Sequence, residues 1–544
     1  MLHTFAFLFV AAVYGASPTV VLDRGIFTGV ASGTTEAFLG IPFAQPPVGD
    51  LRFRAPEPNA PYTGSFNATV FGPACVQQSF GAPNEPNINS IALEIIQSTL
   101  ANPPLVDDED CLSINVFKPA NTTSALKLPV VYWIFGGGFE TGSNSMFNGS
   151  VIVERSLELG MPVVYVSVNY RLSALGFPMG IETRKAGNGN LGFLDQRQGL
   201  RWVQKYIGKF GGDPTKVMIW GVSSGAISVT AQMLMNNGDT EGLFRAAFAQ
   251  SGSPVPTSTV EDNQAVMDIF VDAAGCGHES GSPAVFDCLR KLSLEGIRTA
   301  MSATPGLFAF TSIALGWNPV ADGVTIPAPF QQMVLHSNIA NVPLISGDCD
   351  DEGTMFTLAN TNITTSAEFE DYITKFWAAG NRAIVEPLFA AYPDDPALGS
   401  PFDTGTTNNI TSQFKRMASI TGDLVFQAPR RFFFERVVKT QPVFSYISKR
   451  LKSTPVLGAF HSSDLSNVYG PGDMTDYLIR FAVTLDPNGS NTNTTEIHWP
   501  RYTLETRQML TFLDGNVSLA IGEDTFREEA IEKVMGFALA HPFP

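Results

Sequence analysis

The stretch Lys216–Met235 (KVMIWGVSSGAISVTAQMLM) limits the possible folds more than any other part of the chain. Val217 to Trp220 is an apolar, partly β-branched run that predicts a buried strand. Gly221-Val222-Ser223-Ser224-Gly225 follows at once, and Ala226 to Met235 carries Ile227, Ala231 and Leu234 near helical spacing. A strand, a G-x-S-x-G pentapeptide and a helix together predict a sharp turn that lifts the central serine above a sheet. Glycine is required on both sides because neighbouring backbone comes too close for a side chain. Ser223 is thereby held in a strained conformation with its hydroxyl at a helix N-terminus, which makes it a candidate nucleophile.

The surrounding chain supplies a sheet for such a turn. Pro129–Phe135 (PVVYWIF), Val163–Val168, Phe244–Ala249, Val342–Ser346 and Val443–Ile447 are short apolar runs that predict buried strands. Gln198–Phe210 predicts a helix stopped by Gly211-Gly212-Asp213-Pro214, and Thr525–Ala540 a closing helix. Strands alternating with helices imply an α/β class, a mostly parallel sheet with both faces covered. Nearer the start, Thr19–Leu22 and Gly25–Val30 predict a hairpin and Thr35–Leu39 a further strand. Gly40–Pro47 (GIPFAQPP) should be loop. There is no repeat, linker or composition break, so residues 17–544 are expected to form one domain.

A net charge of −17 on 544 residues argues against nucleic acid as a partner, because phosphate needs a basic surface. Phe5–Val13 is apolar, too short to span a bilayer, and runs into Tyr14-Gly15-Ala16-Ser17. It predicts a secretory signal over residues 1–16, cut after Gly15 or Ala16. No later run is long enough to predict a transmembrane span. Sequons at Asn67, Asn121, Asn148, Asn362, Asn409, Asn488, Asn493 and Asn516 are glycosylation candidates that fit secretion. Of five cysteines, local closure favours Cys75 with Cys111 and Cys276 with Cys288, leaving Cys349 over. As a thiol nucleophile Cys349 is a poor candidate, since its acidic run Asp348-Cys349-Asp350-Asp351-Glu352 disfavours a thiolate.

A serine hydroxyl needs a base, and an oriented histidine is the usual one. With a strand-to-helix elbow the order along the chain is serine, acid, histidine. His3 lies in the signal, His541 in the tail, and His278 and His336 come too early, which leaves His461 and His498. His461, in GAFHSSD after a predicted strand, is favoured; His498 reads as a surface residue. The acid should end a strand between Ser223 and His461. There Asp348, Asp350, Asp351 and Glu352 compete, most of them expected as solvated charge, and spacing does not choose among them. Gly136-Gly137-Gly138 after a central strand offers backbone N–H donors for an oxyanion, with the Ser224 N–H beside the nucleophile as a further donor. No metal or organic cofactor is implied.

These residues resemble the type-B carboxylesterase/lipase family of α/β hydrolases, which includes fungal long-lid lipases and cholinesterases. The carriers are Gly40–Pro47, EDCLSINV at Glu109–Val116, WIFGGGFETGS at Trp133–Ser143, VNYR at Val168–Arg171, Leu191–Pro214, the GVSSG elbow, DEGTMF at Asp351–Phe356 and GAFHSSD. The resemblance implies an α/β-hydrolase fold with Ser223 as nucleophile, Glu352 as acid and His461 as base. It implies an oxyanion hole from Gly137, Gly138 and Ser224, and disulfides Cys75–Cys111 and Cys276–Cys288. It also implies a lid over about 77–108, whose Ile88, Ile91, Ala92, Ile95, Ile96 and Leu100 fall on one helical stripe while Glu94 and Gln97 lie off it. Such a stripe suits a lipid–water interface. The family usually has Glu-Ser-Ala in the elbow; this chain has Val222-Ser223-Ser224, so a buried charge is missing. The expected activity is hydrolysis of lipophilic esters such as triacylglycerol, sterol or carotenoid esters. Phe139 and Phe356 flank the catalytic motifs and are read equally as lining the acyl site or as core packing. Two alternatives are a feruloyl-type esterase acting on plant phenolic esters and a non-catalytic adhesion relative.

Overall fold

Val130–Ile134 and Val164–Val168 are fully buried, largely apolar runs, and they lie side by side near the middle of a sheet that has eleven strands among the described residues. The structure is a computed structural model and describes residues 17–78, 89–100, 105–336, 338–470, 472–489 and 497–542. The expected signal segment, 1–16, lies outside these residues, as does Asn493.

In chain order the strands are β1 Thr19–Leu22, β2 Arg24–Thr28, β3 Val30–Ser32, β4 Thr35–Pro42, β5 Thr63–Asn67, β6 Ser113–Pro119 and β7 Leu128–Ile134. They continue with β8 Val164–Val168, β9 Gly212–Val222, β10 Ala246–Gln250, β11 Leu344–Cys349, β12 Val443–Ser448, β13 Gln508–Phe512 and β14 Leu519–Glu523. The large sheet runs β14-β13-β12-β11-β10-β9-β7-β8-β6-β4-β3; β1, β2 and β5 form a small sheet. From β8 through β7, β9, β10, β11 and β12 to β13 every pair is parallel. Both edges are antiparallel. This is the mostly parallel, helix-covered sheet of the α/β hydrolases. Among the described residues, no helix is long and apolar enough to cross a membrane.

Several boundaries differ from the sequence expectation. The expected loop at Gly40–Pro47 begins too early, because β4 continues to Pro42. Its register against β6 shifts between Phe38 and Ile41, where Gly40 has φ +68°, so a bulge absorbs the glycine. The helix expected from Gln198 starts at Leu191 and ends at Tyr206, with a 3₁₀ turn over Ile207–Phe210. β9 starts at Gly212, inside the expected stop, and the closing helix is Glu528–Ala540.

The disulfides Cys75–Cys111 and Cys276–Cys288 are both formed, and Cys349 is free and buried. Asn67, Asn121, Asn148 and Asn516 are exposed, whereas Asn362, Asn409 and Asn488 are half-buried.

One buried ionic cluster ties the strand that leads to the acidic run into the C-terminal edge. Arg430, on the helix Ala428–Val437, donates from Nε to Asp348 at 2.7 Å and from Nη1 to Asp524 at 2.7 Å. Burial would raise the Asp524 carboxyl, but Arg430 and Arg431 hold it at about 2. A carboxyl depressed in the folded state stabilises above its ordinary value of about 3.9 and loses that contribution as pH falls toward the folded value. Arg430→Leu leaves Asp348 buried without its cation and Asp524 with Arg431 alone, and is expected to cost about 3–5 kcal/mol in urea unfolding at neutral pH. A cost under about 1 kcal/mol, the size of an ordinary surface change, would contradict this.

Candidate active site

The parallel register of β9 between β7 and β10 carries the chain to the C-terminal edge of the sheet, where it turns abruptly. Ser223 stands in that turn with φ +58° and ψ −128°, before the helix Ser224–Leu234. This is a rare conformation for a residue with a side chain. It is held by the main chain: the Ser223 N–H donates to the Gln250 carbonyl at 2.9 Å, and its carbonyl accepts from Ala226 and Ile227 at 2.8 and 3.0 Å. The flanking glycines are required sterically. A Cβ on Gly221 would stand 2.4 Å from the Gly225 carbonyl oxygen, and one on Gly225 2.2 Å from that of Ile134.

The triple-glycine loop lies directly against this turn. A Cβ on Gly136 would stand 2.8 Å from the Ser223 Cβ. Gly137 and Gly138 have φ +119° and +64°, conformations that glycine adopts cheaply. Their N–H groups and that of Ser224 donate to no other group among the described residues.

His461 follows β12 and is 5 % exposed. Its Nδ1 lies 2.5 Å from Glu352 Oε2. The other oxygen of Glu352 accepts the Cys349 N–H at 2.6 Å, which helps to hold the carboxylate beside the imidazole. Phe356 and Phe426 flank the ring, with centroids 5.1 and 4.7 Å away. His461 Nε2 is buried and has no hydrogen-bond partner among the described residues, so the Ser223–His461 bond is not made. Both residues line one cavity of about 250 Å³. Without substrate such bonds are often long and close only in the reacting complex.

The acidic run is not solvated, contrary to the expectation for most of it. Asp348, Asp350, Asp351 and Glu352 are all buried. Three of them have structural partners: Asp348 bonds Arg430, while Asp350 and Asp351 share Lys452. Only Glu352 reaches a histidine. Burial pushes Asp348 up to about 7 in spite of Arg430. It also pushes the Cys349 thiol well up, and that thiol is 0 % exposed between Ser251 and Ser463. His498 is exposed and far from this arrangement in role, next to buried Trp499.

Leu307, Phe308, Ile313, Leu315, Met355 and Val425 complete an apolar wall, with Phe139 and Phe356 on it as expected. Phe139 also packs edge-on against Phe177, so it serves the core as well. Val222 is a buried part of this wall. The helix Ser90–Leu100 packs over the same region: Ala92 and Ile96 are buried with Leu307, Phe308, Phe356 and Phe426. Ile95 is half-buried and packs against the same cluster, whereas Ile91 is exposed; Ile88 and the Leu100 side chain lie outside the described residues.

Serine on a strand-to-helix elbow, with a carboxylate and then a histidine brought to it from later strands, is the order of the α/β hydrolases. The chain belongs to the carboxylesterase family, whose model matches residues 16–527, and it is a carboxylic ester hydrolase. It is 41 % identical over 534 residues to Lipase 4 of Diutina rugosa, covering 94 % of each chain. It is 38 % identical over 537 residues to the secreted triacylglycerol lipase LIP1 of Gibberella zeae, covering 95 % of this chain and 90 % of that one. Among solved structures, Aspergillus niger EstA is similar with a TM-score of 0.80 at 27 % identity, covering 97 % of this chain and 99 % of the other.

Proposed function

We propose that this is a secreted lipase-type enzyme in which Ser223, His461 and Glu352 cleave lipophilic esters through an acyl-enzyme. Ser223 Oγ attacks the ester carbonyl carbon while His461 Nε2 takes its proton. Glu352 accepts the Nδ1–H, which keeps Nε2 free to act as base and stabilises the imidazolium. The carbonyl oxygen becomes an oxyanion among the N–H groups of Gly137, Gly138 and Ser224, each donor contributing about 3 kcal/mol. Collapse expels the alcohol, which receives the proton from His461, and water then attacks the acyl-enzyme by the same route. The steps draw on side chains, main-chain amides and water alone.

The observation that carries this reading is the 2.5 Å contact between His461 Nδ1 and Glu352, with His461 and Ser223 on one cavity wall. The apolar lining supports a lipophilic acyl group, and related chains named as lipases support the same class. The segment 77–108, with its buried Ala92 and Ile96, serves as the lid in this reading, opening to give its apolar line to a lipid surface. Two disulfides and the name of the Gibberella zeae relative support action outside the cell, and residues 17–544 act as one catalytic unit.

Hydrolysis of 4-nitrophenyl palmitate and methyl ferulate tests the substrate class. We expect kcat/KM to favour the palmitate by at least about tenfold, or about 1.4 kcal/mol of transition-state binding. A preference for the ferulate would replace the lipase reading with that of a phenolic-ester esterase.

A further inference from the structure

We propose that Glu140 is a positioning residue that clamps the oxyanion loop to the wall of the acyl cavity, and that it does so as an uncharged carboxylic acid. The inference rests on the reading above, in which Gly137 and Gly138 supply the oxyanion donors.

Glu140 follows the triple glycine by one residue and is 0 % exposed. Its Oε2 accepts the Leu307 N–H at 2.8 Å. Leu307 is itself part of the cavity wall, and a Cβ on Gly138 would stand 3.4 Å from Leu307 Cδ1. The side chain of Glu140 therefore bonds the residue whose own side chain packs on the oxyanion loop. The Glu140 main chain is fixed as well: its carbonyl accepts from Gln78 N–H at 2.8 Å, and its N–H donates to Gly137 at 3.1 Å. Loop, cavity wall and the base of the 77–108 segment are thus joined at one residue.

The neutral state follows from the surroundings. Oε1 is buried and has no hydrogen-bond partner among the described residues. Among the described residues, no charged group acts on the carboxyl. Facing it are the amides of Leu307, Trp317 and Gly316; Gln78, Ser173 and Thr304 on the adjoining segments are polar but uncharged. Burial pushes this carboxyl up to about 8, against the pull of those amides. An ionised Glu140 would place a negative charge beside the loop that must bind a second one, which opposes the transition state.

The test compares wild type, Glu140→Gln and Glu140→Ala with 4-nitrophenyl butyrate, measuring kcat and KM from about pH 6 to about pH 9.5. Alanine removes the clamp and is expected to lower kcat at least about tenfold at neutral pH while KM moves less than about threefold. Glutamine mimics the neutral acid, keeps the acceptor for Leu307, and is expected to recover most of that loss. In wild type kcat should fall as pH rises through about 8, and this fall should be absent in Glu140→Gln. Wild-type kcat in Glu140→Ala, or the same alkaline fall in Glu140→Gln, overturns the proposal. If alanine does not fold, as read by thermal unfolding, the glutamine pH profile decides alone. Failure here with an inactive Ser223→Ala leaves the catalytic reading standing; activity in Ser223→Ala removes that reading itself.

Discussion

Replacing Ser223 with alanine is expected to lower kcat by about 10⁴- to 10⁶-fold, with little change in thermal stability. The size follows from the role proposed for the hydroxyl: in that reading no acyl-enzyme forms without it, and the histidine and glutamate have no proton to move. What remains is the small acceleration from binding and from the oxyanion donors. Stability is spared because the structural bonds of this residue come from its main chain. Its N–H to Gln250 and its carbonyl to Ala226 and Ile227 are available to alanine at the same φ and ψ. Steady-state kinetics on a variant with unchanged melting temperature therefore isolates the chemistry. Activity within about tenfold of wild type would show that another group attacks the ester.

The second large effect is expected for Glu352→Gln, which should lower kcat by about 10³- to 10⁴-fold. Glutamine can still accept the Cys349 N–H with its oxygen, so the fold around the turn is kept. Its amide then faces His461 Nδ1 as a donor. The imidazole responds by carrying its proton on Nε2, where it cannot take one from Ser223. The effect should fall on kcat at saturating ester and not on KM. Asp350→Asn is the internal control. Asp350 bonds Lys452 and not the histidine, so kcat should stay within about tenfold and any loss should appear in stability. Equal kcat losses in the two variants would reassign the acid.

Much of this site was legible in the sequence because its constraints are local. Gly221 and Gly225 announce a turn that only glycine fits, and the strand before Ser223 and the helix after it follow from apolar pattern alone. The central strands were legible for the same reason, being continuous apolar runs. The acid was not legible from pattern. Asp348, Asp350, Asp351 and Glu352 differ only in which long-range partner they meet, and Arg430, Lys452 and His461 lie from 82 to 109 residues further along the chain. The resemblance to related chains implies Glu352, and Glu352 is the member of the run that contacts His461. The bulge at Gly40 was missed because proline and glycine read as a loop signal unless a partner strand is known. β13 and β14 went unread because they are short and polar at their ends. Glu140 carries no sequence signal of its own, since burial of a lone carboxylate is set by residues 301–317, far from it in sequence.

Labelling with a fluorophosphonate addresses the catalytic centre most directly. The reagent phosphonylates a serine only where a base activates the hydroxyl and amides stabilise the resulting oxyanion. Intact-mass analysis followed by peptide mapping is expected to find a single adduct on Ser223, absent from Ser223→Ala and strongly slowed in Glu352→Gln. An unlabelled wild-type protein, or an adduct on any other residue, would contradict the account.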